Sequence, residues 1–225
     1  MSSHDVAAMT YSSNWSGSWL RYAERNSSGG WSLTTIESRD ADGNTSVAFD
    51  QNNRPVIAWS DDLNADNSLE TLRLSRYNGS SWQTGTVETG VAGYGVQVDV
   101  SINSNNEPAI VHDTGNVRYV EKTASGWTVT ELELELELTA ASDGATLTHA
   151  GDDSPHIALR RADGLTHITR DASGWVYSRI KTGSSSSGQP KVQLDQVTGA
   201  PLVLYKTPGA YVLELAEKNP RRICP

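Results

Sequence analysis

The 225-residue chain holds one cysteine, one phenylalanine and two methionines. The cysteine, Cys224, stands next to the last residue. It has no partner for an internal disulfide, so cysteine usage leaves the redox compartment open. No segment approaches the roughly 18 consecutive apolar residues of a membrane span. With only 36% hydrophobic residues, a helical globule is also disfavoured. Positive charge is in deficit: 18 Lys and Arg face 27 Asp and Glu, for a net charge of -9 and a pI near 5.0. A phosphate backbone or an anionic lipid surface would be repelled, so neither nucleic acid nor membrane insertion is expected. The opening "MSSHDVAAM" has no basic segment followed by an apolar one. The expectation is a cytoplasmic chain or a secreted one without its signal, with the secreted or extracellular setting favoured. G-x-S-x-G, H-E-x-x-H and P-loop signatures are missing. "GSSSSG" at 183–188 is a loop between repeats, since no Lys or helix follows it. The histidines at 4, 112, 149, 156 and 167 show no metal-ligand spacing.

What the chain does have is repetition. Trp31, Trp82, Trp127 and Trp175 each follow small residues, at intervals of 51, 45 and 48. Pro55, Pro108, Pro155 and Pro201 each open an apolar run ("PVIAW", "PAIV", "PHIAL", "PLVLY"), at intervals of 53, 47 and 46. A third block precedes each tryptophan: "LRYAER", "LRLSRY", "VRYVEK" and "LTHITR". A fifth copy, "LELAEK" at 213–218, has no tryptophan after it. A fourth block precedes each proline turn: "SVAFD", "VQVDVSI", "ATLTHA" and "KVQLD". Four short strands every 45 to 50 residues or so are the signature of a propeller blade. The fold expected is all-β: a β-propeller of about five blades, each a four-stranded antiparallel sheet, with incomplete terminal blades. Residues 1–219 form one domain with units at about 5–37, 44–89, 95–138, 145–182 and 190–219, and 220–225 form a tail.

The strands that the tryptophans open read "WSLTTI", "WQTGTV", "WTVTEL" and "WVYSRI". Ile36, Val87, Leu132 and Ile180 stand five residues after their tryptophans. A bulky residue stands two after it in every copy but that of Thr84. The step from two to five breaks strict alternation and predicts a shared bulge in the outermost strand. In the third unit, "ELELELEL" at 131–138 extends this strand. Period-two geometry puts the leucines on one face and the glutamates on the other, and charge on an outer edge discourages sheet-to-sheet sticking. A two-residue period would scatter leucines around a helix, so a helix is not expected there.

The ends are uneven. Residues 5–13 stand where a second strand stands in the next unit, and the last unit carries its first three strands. Three strands, three sets of four and three more make eighteen. Both partial units carry second and third strands, so one cannot simply complete the other. This predicts an atypical closure or a homo-oligomer through the incomplete terminal blades.

The pattern "SVAFDQNNRPVIAW … LRLSRYNGSSW" resembles bacterial β-propeller repeats of the sialidase-like or lectin-like kind, from about residue 5 to 219. The resemblance implies architecture and leaves activity open. The nearest string to a sialidase Asp-box, "SRDADGNT" at 38–45, has an extra residue and lies between blades. Neither an arginine triad nor a tyrosine nucleophile can be carried over.

Loops leaving each second strand are expected to build one mouth of the central channel. The candidate ligand-binding residues there are Tyr11, Trp59, Asp61, Asp62, His112, Asp113, Arg160, Arg161 and Tyr205, with Asp163 and Lys206 nearby. Aromatics stack on sugar faces, while Asp and Arg hydrogen-bond hydroxyls. "DDLNADNSLE" at 61–70 offers Asp62, Asn64 and Asp66 as oxygen ligands for calcium. Asn67 in place of a turn glycine and Arg73 at the twelfth position exclude an EF-hand. No other cofactor is expected. The function expected is a non-enzymatic module binding a glycan or other extracellular ligand. The alternatives are a structural propeller that binds protein, and a glycoside hydrolase or lyase using Asp61 or Asp62 with Asp113, which needs the two carboxylates about 5 to 9 Å apart across a sugar.

Overall fold

A computed structural model describes residues 7–13, 19–38, 44–61, 69–92, 96–113, 116–132, 142–183, 189–206 and 213–217. Among these, eighteen strands form five antiparallel sheets. Sheet 1 holds β1 (Ala8–Ser13), β2 (Trp19–Arg25) and β3 (Trp31–Glu37). Sheet 2 holds β4 (Ser46–Phe49), β5 (Pro55–Asp61), β6 (Leu69–Tyr77) and β7 (Trp82–Ala92). Sheet 3 holds β8 (Gln97–Ile102), β9 (Pro108–Asp113), β10 (Val117–Thr123) and β11 (Gly126–Glu131). Sheet 4 holds β12 (Ser142–His149), β13 (Pro155–Arg161), β14 (Gly164–Asp171) and β15 (Gly174–Thr182). Sheet 5 holds β16 (Lys191–Leu194), β17 (Pro201–Lys206) and β18 (Leu213–Glu217). Each sheet pairs its strands in chain order. The chain is a β-propeller with one sheet per sequence repeat, and each of the two end sheets has three strands among the described residues.

Radial order is written in hydrogen bonds near the axis. Thr45 donates to Thr10 (2.8 Å), which joins sheet 2 to sheet 1. Ser46 donates to Asp99 (2.6 Å) in β8, and the other Asp99 oxygen accepts from the Leu147 amide (3.0 Å) in β12. The Val192 amide in β16 donates to Thr146 (3.1 Å). A cavity of about 550 Å³ is lined by Ala8 of β1, Phe49 of β4, Ile102 of β8, Leu147 of β12 and Gln193 of β16, so the inner strands of all five sheets border one space.

Trp82, Trp127 and Trp175 occupy equivalent joints between sheets. Trp82 of sheet 2 meets Tyr22 of sheet 1 edge-on, with centroids 5.6 Å apart, and Trp175 of sheet 4 meets Tyr119 of sheet 3 at 5.0 Å. Trp127 of sheet 3 and Leu74 of sheet 2 both pack against the buried core shared by these two sheets. Tyr22, Leu74 and Tyr119 hold the same register position, opposite Thr10, Ala58 and Val111. Trp82, Trp127 and Trp175 thus pack on the preceding sheet, and the aromatic pairs of Trp82 and Trp175 add to plain area burial.

The expected outer-strand bulge is present. Pairing skips Ile36 in sheet 1, Val87 in sheet 2 and Ile180 in sheet 4. An unpaired residue is free to turn its side chain inward, and all three join cores against the next sheet. In sheet 3 the strand ends at Glu131, and Leu132 is fully buried against sheet 4. The rest of the Glu-Leu run, at 133–138, lies outside the described residues.

The turns between first and second strands repeat as well. Asp50 and Asn103 each cap their own turn, accepting from amides two and four residues on. Asn53, Asn106 and Asp153 stand at φ 56, 64 and 66°, a left-handed region that Asn and Asp tolerate. Among the described residues no helix is long and apolar enough to cross a membrane.

Candidate functional site

Sheets set radially turn both faces toward neighbours, and only strand ends and loops reach the mouth. This geometry decides where the candidate residues go. Tyr11, Trp59, His112 and Tyr205 share one register column with Leu159. In the described joints this column faces the preceding sheet, not the mouth. Trp59 is fully buried with Leu20 and Tyr22, and its indole N–H donates to Ser75 (3.0 Å). It is a core residue and not a stacking platform for a ligand. His112 is fully buried, and its Nε2 donates to Glu88 (3.0 Å) of sheet 2. Arg118 bridges Glu88 (2.6 Å) and Glu131 (2.5 Å) beside it. Burial pushes the Glu88 carboxyl up, but the bonds from His112 and Arg118 outweigh it and hold the pKa below the usual glutamate value. Tyr205 is half-buried and donates to Glu214, which also pairs with Lys181 (2.7 Å).

Residues at the strand ends are equally engaged. Asp61 is 1% exposed and accepts from Arg73 (2.6 Å). Asp113 accepts from the Gly144 amide (2.7 Å) of sheet 4. Arg160 and Arg161 are buried, and Arg161 pairs with Asp163 (3.2 Å), which also holds Arg179 (2.6 Å). The structure therefore distributes the candidates over several joints. Asp62, Asn64 and Asp66 lie outside the described residues. Among the described residues no group of three or more His, Cys, Asp or Glu side chains is placed to hold a metal ion.

A pocket lies instead between sheets 4 and 5. It measures about 320 Å³ and is lined by His167 of β14, Ser178, Arg179 and Ile180 of β15, Pro201 and Val203 of β17, and Ala216 of β18. His167 stands opposite Ala158, the register position at which Tyr22, Leu74 and Tyr119 receive a tryptophan from the next sheet. No described strand of sheet 5 carries a tryptophan, and the space over His167 is this pocket. Its floor is polar: His167 Nε2 and His156 Nδ1 are 3.0 Å apart, sharing one hydrogen bond. One wall is aliphatic (Ile180, Pro201, Val203, Ala216). The other offers the Ser178 hydroxyl, which stands in register with His167. Arg179 borders the pocket too, but it pairs with Thr166 in the column of Leu159, and its guanidinium is held by Asp163. The sequence signal for it was the copy "LELAEK", which no tryptophan follows.

No family model matches the chain, and no curated protein does either. Solved structures share the fold. The six-bladed fucose lectin of the fungus Aleuria aurantia aligns with a TM-score of 0.60 at 14% identity, over 95% of this chain and 74% of the lectin. A mutant of that lectin in complex with Fucα1-6GlcNAc aligns at 0.58 and 12% identity, over 93% and 74%. AofleA from Arthrobotrys oligospora aligns at 0.59 and 10% identity, over 95% and 69%. At these identities the likeness is one of fold.

Proposed function

We propose that this protein is a non-enzymatic carbohydrate-binding propeller, with the pocket between sheets 4 and 5 as a site for one sugar ring. The pocket carries the proposal. Its volume of about 320 Å³ sits at the small end of ligand sites, which run from about 300 to 1,000 Å³. An aliphatic wall suits the C–H face of a pyranose. The His167 imidazole and Ser178 hydroxyl opposite suit its hydroxyls. The fold it shares with fucose lectins fits this reading. Binding without hydrolysis fits the state of the described carboxylates, since Asp61 is held by Arg73 and Asp113 by the Gly144 amide. An extracellular setting goes with such a ligand.

A glycan array probed with the labelled chain tests the reading, together with Ala216→Trp, which fills the pocket with the indole that other joints carry. The wild type is expected to retain a defined set of glycans. The variant should lose them at least about tenfold while melting no lower than wild type, because it fills a void. Binding unchanged by Ala216→Trp, or no glycan retained at all, overturns it.

A further inference from the structure

The two outward faces of the chain differ from every inner face. Met9 of β1 holds the register position of Ile57, Ile110, Ile157 and Val203. Those four are exposed by 0, 0, 0 and 2%, whereas Met9 is exposed by 47%. Trp31, the one of the four repeat tryptophans whose sheet has no described sheet before it, is 45% exposed. At the other end, Leu204 stands opposite Leu215 as Val111 stands opposite Tyr119. Val111 and Tyr119 are buried, whereas Leu204 and Leu215 are 41% and 63% exposed. Sheet 1 therefore presents a knob without a seat, and sheet 5 a seat without a knob.

The residue types at neighbouring register positions repeat too. At the joint of sheets 3 and 4, Arg170 stands opposite Trp175 and makes two 2.8 Å bonds to Glu121 of the preceding sheet. On sheet 1, Arg25 stands opposite Trp31 in the same way and is exposed. On sheet 5, Glu217 stands opposite Leu202 as Glu121 stands opposite Ala109. The end of one chain thus repeats the residue types of a joint that the same chain already makes.

We propose that copies of this chain associate head to tail, the Met9, Arg25 and Trp31 face of one copy seating on the Leu204 and Leu215 face of the next. A copy's own far end is not the mate: both faces are uncovered in the one molecule. The contact is heterologous, so association continues past the dimer unless the rotation closes a ring. The sugar pocket plays no part in it.

Sedimentation velocity from about 1 to 100 µM, which brackets micromolar dissociation constants, tests this. The wild type is expected to grow past the dimer with concentration. Trp31→Asp and Leu215→Arg should each weaken association at least about tenfold, the scale of a hot-spot loss. Both residues are exposed, so circular dichroism spectra and melting curves should overlay the wild type. Mixing the two variants is the sharper measurement. Each keeps one intact face, so together they should form a dimer that grows no further. A monomer at every concentration, association indifferent to both substitutions, or a mixture that stays monomeric overturns the proposal.

Discussion

Arg170 shows how much one side chain contributes at a joint. It forks onto Glu121 and lies over the rings of Trp175 (5.2 Å) and Tyr119 (5.5 Å). A planar fork that also stacks is not replaced by a lysine. Arg170→Lys is expected to cost about 1 kcal/mol in urea unfolding and Arg170→Ala about 2, the first mainly through lost stacking. The pair also sets a pH dependence. The hydrogen bonds from Arg170 hold the Glu121 pKa below its ordinary 4.5. A carboxylate lowered on folding stabilises the fold above its unfolded value, and that contribution fades as pH falls through the folded one. Wild type and Arg170→Ala should therefore differ most above about pH 5 and converge toward pH 3. A constant difference across that range would refute the mechanism. Sequence spacing identified Trp175, but not its seat. Tyr119 and Glu121 lie some fifty residues earlier, and only the register of sheets 3 and 4 brings them under it.

At the scale of strands, periodicity was informative because a strand has only two faces. The break in alternation at Ile36, Val87 and Ile180 was visible in the residues, and the skipped pairings are its backbone cause. Column assignments for Trp59 and His112 went the other way. Both stand near the end of a second strand, which suggests a loop-facing role, yet alternation turns both into a joint. A glycine tests how tight these strands are. Gly164 opens β14 at φ +142°, and a Cβ there would stand 2.0 Å from the Lys181 carbonyl oxygen. Gly164→Ala is expected to destabilise by at least about 2 kcal/mol, adding a steric clash to backbone strain. Gly174, at φ +116° with nothing within 4 Å of such a Cβ, should cost only about 1 kcal/mol on the same change. Equal losses in chemical denaturation would show that the close approach to Lys181 does not matter.

Across the whole molecule, joints between sheets replace a single core, as in other repeat folds where each unit contacts its neighbours. The four tryptophans are alike in sequence and unlike in energy. Trp175 is seated on Tyr119, whereas Trp31 is 45% exposed. Trp175→Ala is expected to lower the unfolding free energy by about 2 to 3 kcal/mol and Trp31→Ala by less than about 1. Guanidinium titrations of the two variants, run dilute enough to keep the chain monomeric, measure the gap. Similar losses would mean that Trp31 also has a seat within its own chain.

By itself the sequence determined the strand count, the grouping into sheets and the outer bulges. These depend on local order: a turn residue, an alternation of two, an aromatic after a small residue, all repeated every fifty residues or so. Only the tertiary structure decided which faces are covered. Burial of Trp59, the seat under Trp175, the pocket over His167 and the bare ends at Trp31 and Leu215 all depend on what the adjacent sheet presents. That is a long-range matter of register and radial order, which the spacing of residues within one repeat does not encode.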